Sequence, residues 1–456
     1  MKKRGLRLGL GVAVAGLAAL TTLASCGKKV VMNNDGEIFH IYVWNEEFKG
    51  FFEKYVSDEK AKFQEAAEKK DDSLKPAETH YQGKKVKWTI TPSDNGAYQK
   101  ALDDALENNA NAKEEDKIDL FLAEADYILK YNNSDLTRNV QDMGVTDFSN
   151  IYNYTKEAAS SNKGEVKGVS FQCCPAGVIY RRSIAKAVLG VDKPEEVQAK
   201  ISDWTKFDAV AAQMKEKGYY MTASFAETYR AFSNNVTKPW VDKDNKLQFD
   251  DQITKWMDQA DSYVEKGYTL TAGIWENECT NEMYEDGKAF CYFGPAWYYN
   301  FCMGNAQDPD KGCFGDWGLV EGPAKYFWGG TWLLAPAGGS NDDLTAKVMN
   351  TFINDEDVCY SLVEKEGQFS NNQKANKKYA DTGKGNAFLG GQNDTALYLE
   401  LAKGIKFQNI TIYDQYCNEG LQNNFQQYLK GEVTKDKAIA NFKDYIERTC
   451  TGVKAS

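Results

Sequence analysis

Short apolar strands alternate with helical stretches along most of this chain, and the alternation runs on for longer than a single core can serve. Ile38 to Trp44 alternates like a strand, Glu46 to Gln64 reads as helix, and Val86 to Ile90 gives a second strand. Tyr98 to Asn108 then reads as helix and Ile118 to Leu122 as a third strand. That order implies right-handed crossovers and a mostly parallel sheet, so the first part is α/β. A second series begins near Gly168. Val169 to Phe171 and Val178 to Tyr180 are extended around Pro175, and Ser202 or Asp203 caps a helix from Trp204 to Lys217. Ala289 to Phe293 is a strand stopped by Gly294-Pro295, and Trp332 to Pro336 is extended again. Helices are expected over Asp342–Ile353 and Asp355–Glu366, with more between Ala396 and Arg448. Single cores stop growing at about 250–300 residues, and this chain has 456. At least two lobes are therefore expected.

The N-terminus carries a different kind of signal. Lys2, Lys3, Arg4 and Arg7 precede a run from Leu8 to Leu23 whose only polar side chains are Thr21 and Thr22. Such a basic start and apolar core form an export signal. The core falls short of the about 20 apolar residues of a spanning helix. It ends Leu23-Ala24-Ser25-Cys26-Gly27, which matches the bacterial lipobox. Residues 1–25 are thus expected to be removed and Cys26 to be lipidated, with a polar tether over 26–35. Two or more acyl chains anchor stably where one does not, so the chain is placed on the outer face of the cell membrane.

Removing residues 1–25 takes away four basic and no acidic residues, which moves the formal charge from −11 to −15. Nucleic acid and anionic lipid surfaces are unsuited partners for such a chain. Ten Cys and two His are present, and no Cys-x-x-Cys, so neither zinc nor any other cofactor is implied. With Cys26 assigned, the nine others cannot all pair. Cys279, Cys291, Cys302 and Cys313 recur at steps of 11 or 12 residues, and a Cys302–Cys313 bridge could close the loop between them. Burial as small apolar side chains is the simpler expectation.

Three clusters join aromatic rings to polar groups where strands end or the chain turns: Trp44-Asn45-Glu46-Glu47-Phe48, Phe293-Gly294-Pro295-Ala296-Trp297-Tyr298-Tyr299 and Tyr326-Phe327-Trp328-Gly329-Gly330-Thr331-Trp332. The first falls at a strand's carboxyl end, where open parallel sheets bind ligands. Ring faces beside amides and carboxylates suit a sugar, which has apolar C–H faces and a rim of hydroxyls. For any one Trp, a place in the core is the competing expectation.

The lipobox, the Tyr-Val-Trp-Asn-Glu first strand, the Gly-Pro-x-Trp turn and the late Trp-Gly-Gly-Thr-Trp, taken in order, resemble the extracellular solute-binding lipoproteins of ABC sugar importers, in the broad class of the maltose-binding protein. The resemblance implies a monomer of two α/β lobes, joined by three crossing segments and closing on a carbohydrate, expected to be an oligosaccharide, for delivery to permease subunits. The lobes would comprise residues 36–170 with 336–408, and 175–328 with 412–452. By position, Trp44, Asn45, Glu46, Asp126 and Tyr127 would line one side of the cleft. Trp297 and Tyr298 would line the other, Gln172 and Trp328, Thr331 and Trp332 would lie at crossings, and Tyr413, Asp414 and Gln415 would face the ligand late in the chain. Cys173-Cys174 at the first crossing departs from the pattern.

Two other functions compete. A box of rings with Glu46, Asp126 and Asp414 would suit a polyamine or quaternary amine, although Asn45, Gln172, Gln392, Asn393 and Gln415 add amides that a sugar uses better. A glycoside hydrolase needs two carboxylates, but the eightfold strand–helix count of a hydrolase barrel is missing. Nucleophilic catalysis lacks a base, since His40 falls inside a strand and His80 in a charged loop. No catalytic activity is expected.

Overall fold

The computed structural model describes residues 22–25, 28–93 and 96–455. Strands β1 (Thr22–Ser25) and β2 (Lys28–Val31) pair antiparallel at the N-terminus. Cys26 and most of the expected export signal lie outside the described residues. From Met32 the segment expected as a tether is docked. Met32 is buried, the Asn33 amide donates to the Asp342 carboxylate (2.7 Å) and the Gly36 amide to the Ser340 carbonyl (3.0 Å).

The first lobe is built on β3 (Ile38–Val43), β4 (His80–Tyr81), β5 (Lys84–Ile90), β6 (Leu120–Glu124), β7 (Gly168–Ser170) and, from far along the chain, β13 (Thr331–Leu334). They lie in the order β4-β5-β3-β6-β13-β7. β3 runs parallel to β5 and β6, as the strand–helix alternation requires, whereas β13 is antiparallel to both β6 and β7. The sheet is therefore mixed, because the strands entering and leaving the lobe return beside each other. In β3 the period of two sends Phe39, Ile41 and Val43 into a core with Phe48, Phe52, Val348 and Phe352, while Tyr42 packs on the other face with Tyr98 and Leu102.

The helix expected over 46–64 is two helices, Glu47–Tyr55 and Lys60–Lys69. At the break, the Asp58 carboxylate accepts the Gln82 and Gly83 amides, and Glu59 takes the His80 amide and ring Nδ1, each at 2.8–3.0 Å. The break thus fastens the β4–β5 turn. His80 is engaged there, and His40 is buried with its Nε2 on Thr89 Oγ1 (2.8 Å).

The second lobe carries β8 (Pro175–Arg181), β9 (Tyr220–Thr222), β10 (Ala289–Pro295), β11 (Trp317–Val320) and β12 (Tyr326–Phe327). β8 is antiparallel to β10, β11 and β12, and only β9 runs parallel to β10. The Asp203 carboxylate caps the helix Trp204–Glu216 by accepting the Lys206 amide (2.9 Å). Helices Asp251–Lys266, Asp414–Leu429 and Lys435–Thr449 share a core of Trp256, Cys417, Leu421, Phe425, Phe442 and Ile446.

Three segments join the lobes. Phe171–Cys174 links β7 to β8 and Trp328–Gly330 links β12 to β13. The third lies earlier than the expected 408–412. Helix Gln373–Asp381 still belongs to the first lobe, where Asn376 bonds the Tyr152 hydroxyl, but Gln392 already clasps the backbone of Leu319 in β11 (2.8 and 2.6 Å) and Arg182 holds the Leu389 carbonyl. The nine described cysteines are free and buried. Cys302 and Cys313 form no bridge, and the Cys313 thiol donates to the Met283 carbonyl (3.2 Å).

Candidate ligand-binding cleft

Between the lobes lies a cavity of about 590 Å³, within the 300–1,000 Å³ range of small-molecule sites. The first lobe supplies residues at or just past the ends of its strands: Trp44 after β3, Ser93 after β5, and Glu124, Asp126 and Tyr127 at the end of β6. This is the carboxyl edge of the parallel strands, where loops are free to reach a ligand. The second lobe supplies Phe225, Tyr229 and Arg230, then Gly273 to Glu276, and Trp328 comes from a crossing. Gln415, Glu419, Gln422 and Gln426 lie along one face of the helix Asp414–Leu429 at helical spacing.

Aromatic rings make the walls. Trp44 is half-buried and stands edge-on to Tyr98 and Tyr127, with ring centres 5.4 and 6.5 Å away. Trp328 lies 6.3 Å from Trp275, which is 65% exposed, the most exposed large apolar side chain among the described residues.

Across the middle, Arg230 of the second lobe makes a two-pronged pair with Asp126 of the first (2.8 and 2.6 Å). Burial alone would lower the Arg230 pKa, but the Asp126 charge and hydrogen bonds raise it instead. Gln99 of the first lobe also donates to Gln415 of the second. These polar bridges hold the lobes together over the cavity.

The remaining acids feel the low dielectric. Burial, and next the charge of Asp126, push Glu124 up to about 8, and burial raises Glu419 as well. Burial also pushes Asp414 and Glu47 up to about 7. Under the cavity floor Glu227, 2% exposed, is pushed up to about 8 by burial although it accepts from the Phe293 amide (2.9 Å) and the Tyr298 hydroxyl (3.3 Å).

Of the residues singled out from the sequence, Trp44, Asp126, Tyr127, Trp328 and Gln415 come together at this cavity. The others do not line it. Asn45 accepts the Glu47 amide in the turn before the helix Glu47–Tyr55 (3.0 Å), and Glu46 is solvent-exposed beside Lys49. Gln172 and Thr331 bond each other inside the hinge (2.9 Å), and Trp332 is fully buried with its Nε1 on the Thr155 carbonyl (2.8 Å). Trp297 stands behind Trp328, donating to its carbonyl (3.2 Å), and Tyr298 is interior. Tyr413 packs in the second-lobe core, while Asp414 folds back on Thr411 (2.7 Å) behind Arg230. Cys26 lies outside the described residues. Sequence reasoning missed Glu124, Arg230, Trp275 and Glu419. Trp275 had a signal, an aromatic between Gly273 and Glu276, and so had Glu419, on the same helix face as Gln415. Arg230 had none.

Two α/β lobes joined by three crossings around a lined cleft make the two-lobed periplasmic-binding-protein fold, and solved structures agree. An extracellular solute-binding protein of family 1 superposes with a TM-score of 0.71 at 17% identity, covering 90% of this chain and 99% of that one. The lacto-N-biose complex of a binding protein from Bifidobacterium longum gives 0.66 at 11% (93% and 100%), and maltose-bound MalE3 from T. maritima 0.62 at 11% (90% and 98%). No curated protein matches the sequence. The profile of the bacterial extracellular solute-binding proteins matches residues 77–387. This chain belongs to that family. Among the described residues no helix is long and apolar enough to cross a membrane, and no group of three or more His, Cys, Asp or Glu is placed to hold a metal ion.

Proposed function

We propose that the protein is a lipid-anchored receptor that captures a carbohydrate, longer than a monosaccharide, between its lobes and delivers it to the permease of an ABC importer. The observation that carries this reading is the cavity itself: three tryptophans and Tyr127 form flat apolar walls, and carboxylates from both lobes and amides from the second rim them. A pyranose presents apolar faces to such walls and hydroxyls to such a rim. The lacto-N-biose and maltose bound by two structural neighbours support the assignment. Cys26 would hold the monomer at the outer face of the membrane, and the cavity would bind without turning its ligand over.

A thermal-shift screen of mono- and oligosaccharides tests it. A ligand present at 100 times its dissociation constant adds about 2.7 kcal/mol of stability, so at least one oligosaccharide should raise the melting temperature. A complete panel without a shift would remove the carbohydrate reading, and hydrolysis of a bound sugar would replace the receptor with an enzyme.

A further inference from the structure

The acidic and cationic groups on the cavity wall are unequal in number. Four carboxyl groups, Glu124, Asp126, Glu276 and Glu419, face one guanidinium, Arg230. Asp126 takes both prongs of that guanidinium, and Glu276 is met by Gln426 (2.7 Å) and Lys430 (3.4 Å). Glu124 and Glu419 are left, one from each lobe, with no cation within salt-bridge distance among the described residues. One Glu124 oxygen accepts the Asp126 amide (2.7 Å), and one Glu419 oxygen accepts the Gln415 side chain (3.0 Å).

Three further observations point the same way. Gln99 donates to Gln415, which donates to Glu419, so this relay aims a donor at the Glu419 carboxylate and offsets part of the burial that raises it. Its far end is an unmet acceptor: Gln99 is 3% exposed and its Oε1 has no partner. The wall rings already accept a cation, because the Arg230 guanidinium lies 5.9 Å from the Trp328 ring centre, while much of Trp275 is uncovered. Finally, several amides that would favour a neutral sugar are engaged elsewhere: Gln172 at the hinge, Gln392 on β11, and Asn393 capping the helix Asp394–Ala402.

We infer that the carbohydrate this cleft selects carries a protonated amine, an amino sugar whose ammonium sits between Glu124 and Glu419 while its ring packs on the tryptophan walls. The inference rests on the carbohydrate reading and narrows it. Burial by itself holds both carboxyls towards their neutral form; an ammonium between them draws them to the charged form and pairs that charge, which a sugar hydroxyl does not do.

Titration calorimetry on the mature protein decides the matter. Glucosamine, galactosamine and the β-1,4-linked glucosamine dimer are each compared with their N-acetyl and hydroxyl counterparts, and with spermidine, at low and high salt. The best amino sugar should bind at least about tenfold more tightly than its counterparts, with the margin shrinking as screening rises. Glu124→Gln and Glu419→Gln should each bring the matched sugars to within about threefold of one another. An N-acetyl or hydroxyl form that binds as tightly as the amino form overturns the inference and leaves the carbohydrate reading standing. So does a preference that survives both substitutions. Spermidine binding without any sugar removes both readings, and failure of every amino sugar to bind at millimolar concentration also overturns the inference. Should a variant fail to fold, the salt dependence of the wild-type preference still decides.

Discussion

Replacing Trp275 by alanine separates a ligand-facing ring from a structural one. A tryptophan has about 200 Å² to bury; with 65% of Trp275 exposed, about 130 Å² remains for a ligand, and a sugar stacked on one face would cover about half. At about 25 cal/mol per Å² that contact contributes about 1.6 kcal/mol, or about 15-fold in Kd. The part already covered limits the loss of stability to about 2 kcal/mol, a few degrees of melting temperature. Trp332 is the control: fully buried, with its indole on the Thr155 carbonyl, it should lose about 3–5 kcal/mol on the same change. Calorimetry with a sugar identified by the screen, and thermal melts without it, give both numbers. If Trp275→Ala binds within threefold of wild type, or unfolds as readily as Trp332→Ala, the ring is not a ligand platform and the sugar-binding walls lie elsewhere.

Arg230→Met leaves Asp126 without its cation, and breaking such a pair costs about 3–5 kcal/mol. The variant should melt lower and scatter X-rays with a larger radius of gyration, while adding Asp126→Asn restores much of the stability; an unchanged radius would deny the pair a role in closure. Cys26→Ser should move the protein from membrane to medium without changing sugar affinity, and retention on the membrane would sink the lipid anchor. The buried carboxyls set the pH dependence. A carboxyl with a folded-state pKa above its unfolded value contributes stability that is fully present below the unfolded value, about 4.5 for Glu, and lost as pH rises through the folded one, about 8 for Glu227. Melting temperature should therefore fall between about pH 5 and pH 8, and Glu227→Gln should flatten that fall; a rise with pH would contradict the burial argument.

The strands and helices of the first lobe were legible because β3 is a short run buried on both faces and the helix Asp342–Asn354 keeps one apolar face. Trp44, Asp126 and Tyr127 were legible for the same reason, since a residue just past a parallel strand has few places to go. The second lobe's share of the cavity was harder. Trp275 sits in a loop and Arg230 on a helix of five residues, too short to show a period. Trp297 and Trp332 looked like ligand platforms because sequence shows a ring next to a glycine but not which side of the ring another lobe covers. The third crossing was misplaced because Gln373–Asp381 and Asp394–Ala402 are similar helices whose allegiance is fixed by distant partners, Tyr152 for one and the Gln392 clasp beside the other.

The position of β13 between β6 and β7 has a consequence for how the molecule comes into being. A chain emerging from its N-terminus has made β3, β5, β6 and β7 long before Thr331–Leu334 appears, and until then β6 and β7 face an empty lane with unpaired backbone groups. The second lobe waits longer still, because Leu421, Phe425 and Phe442 complete the core around Trp256. The first lobe can therefore close only after Thr331–Leu334 and the second only at the end of the chain, and no single cut releases a complete lobe. Each lobe is thus completed by chain made long after its first strands, so the order of synthesis and the order of assembly differ.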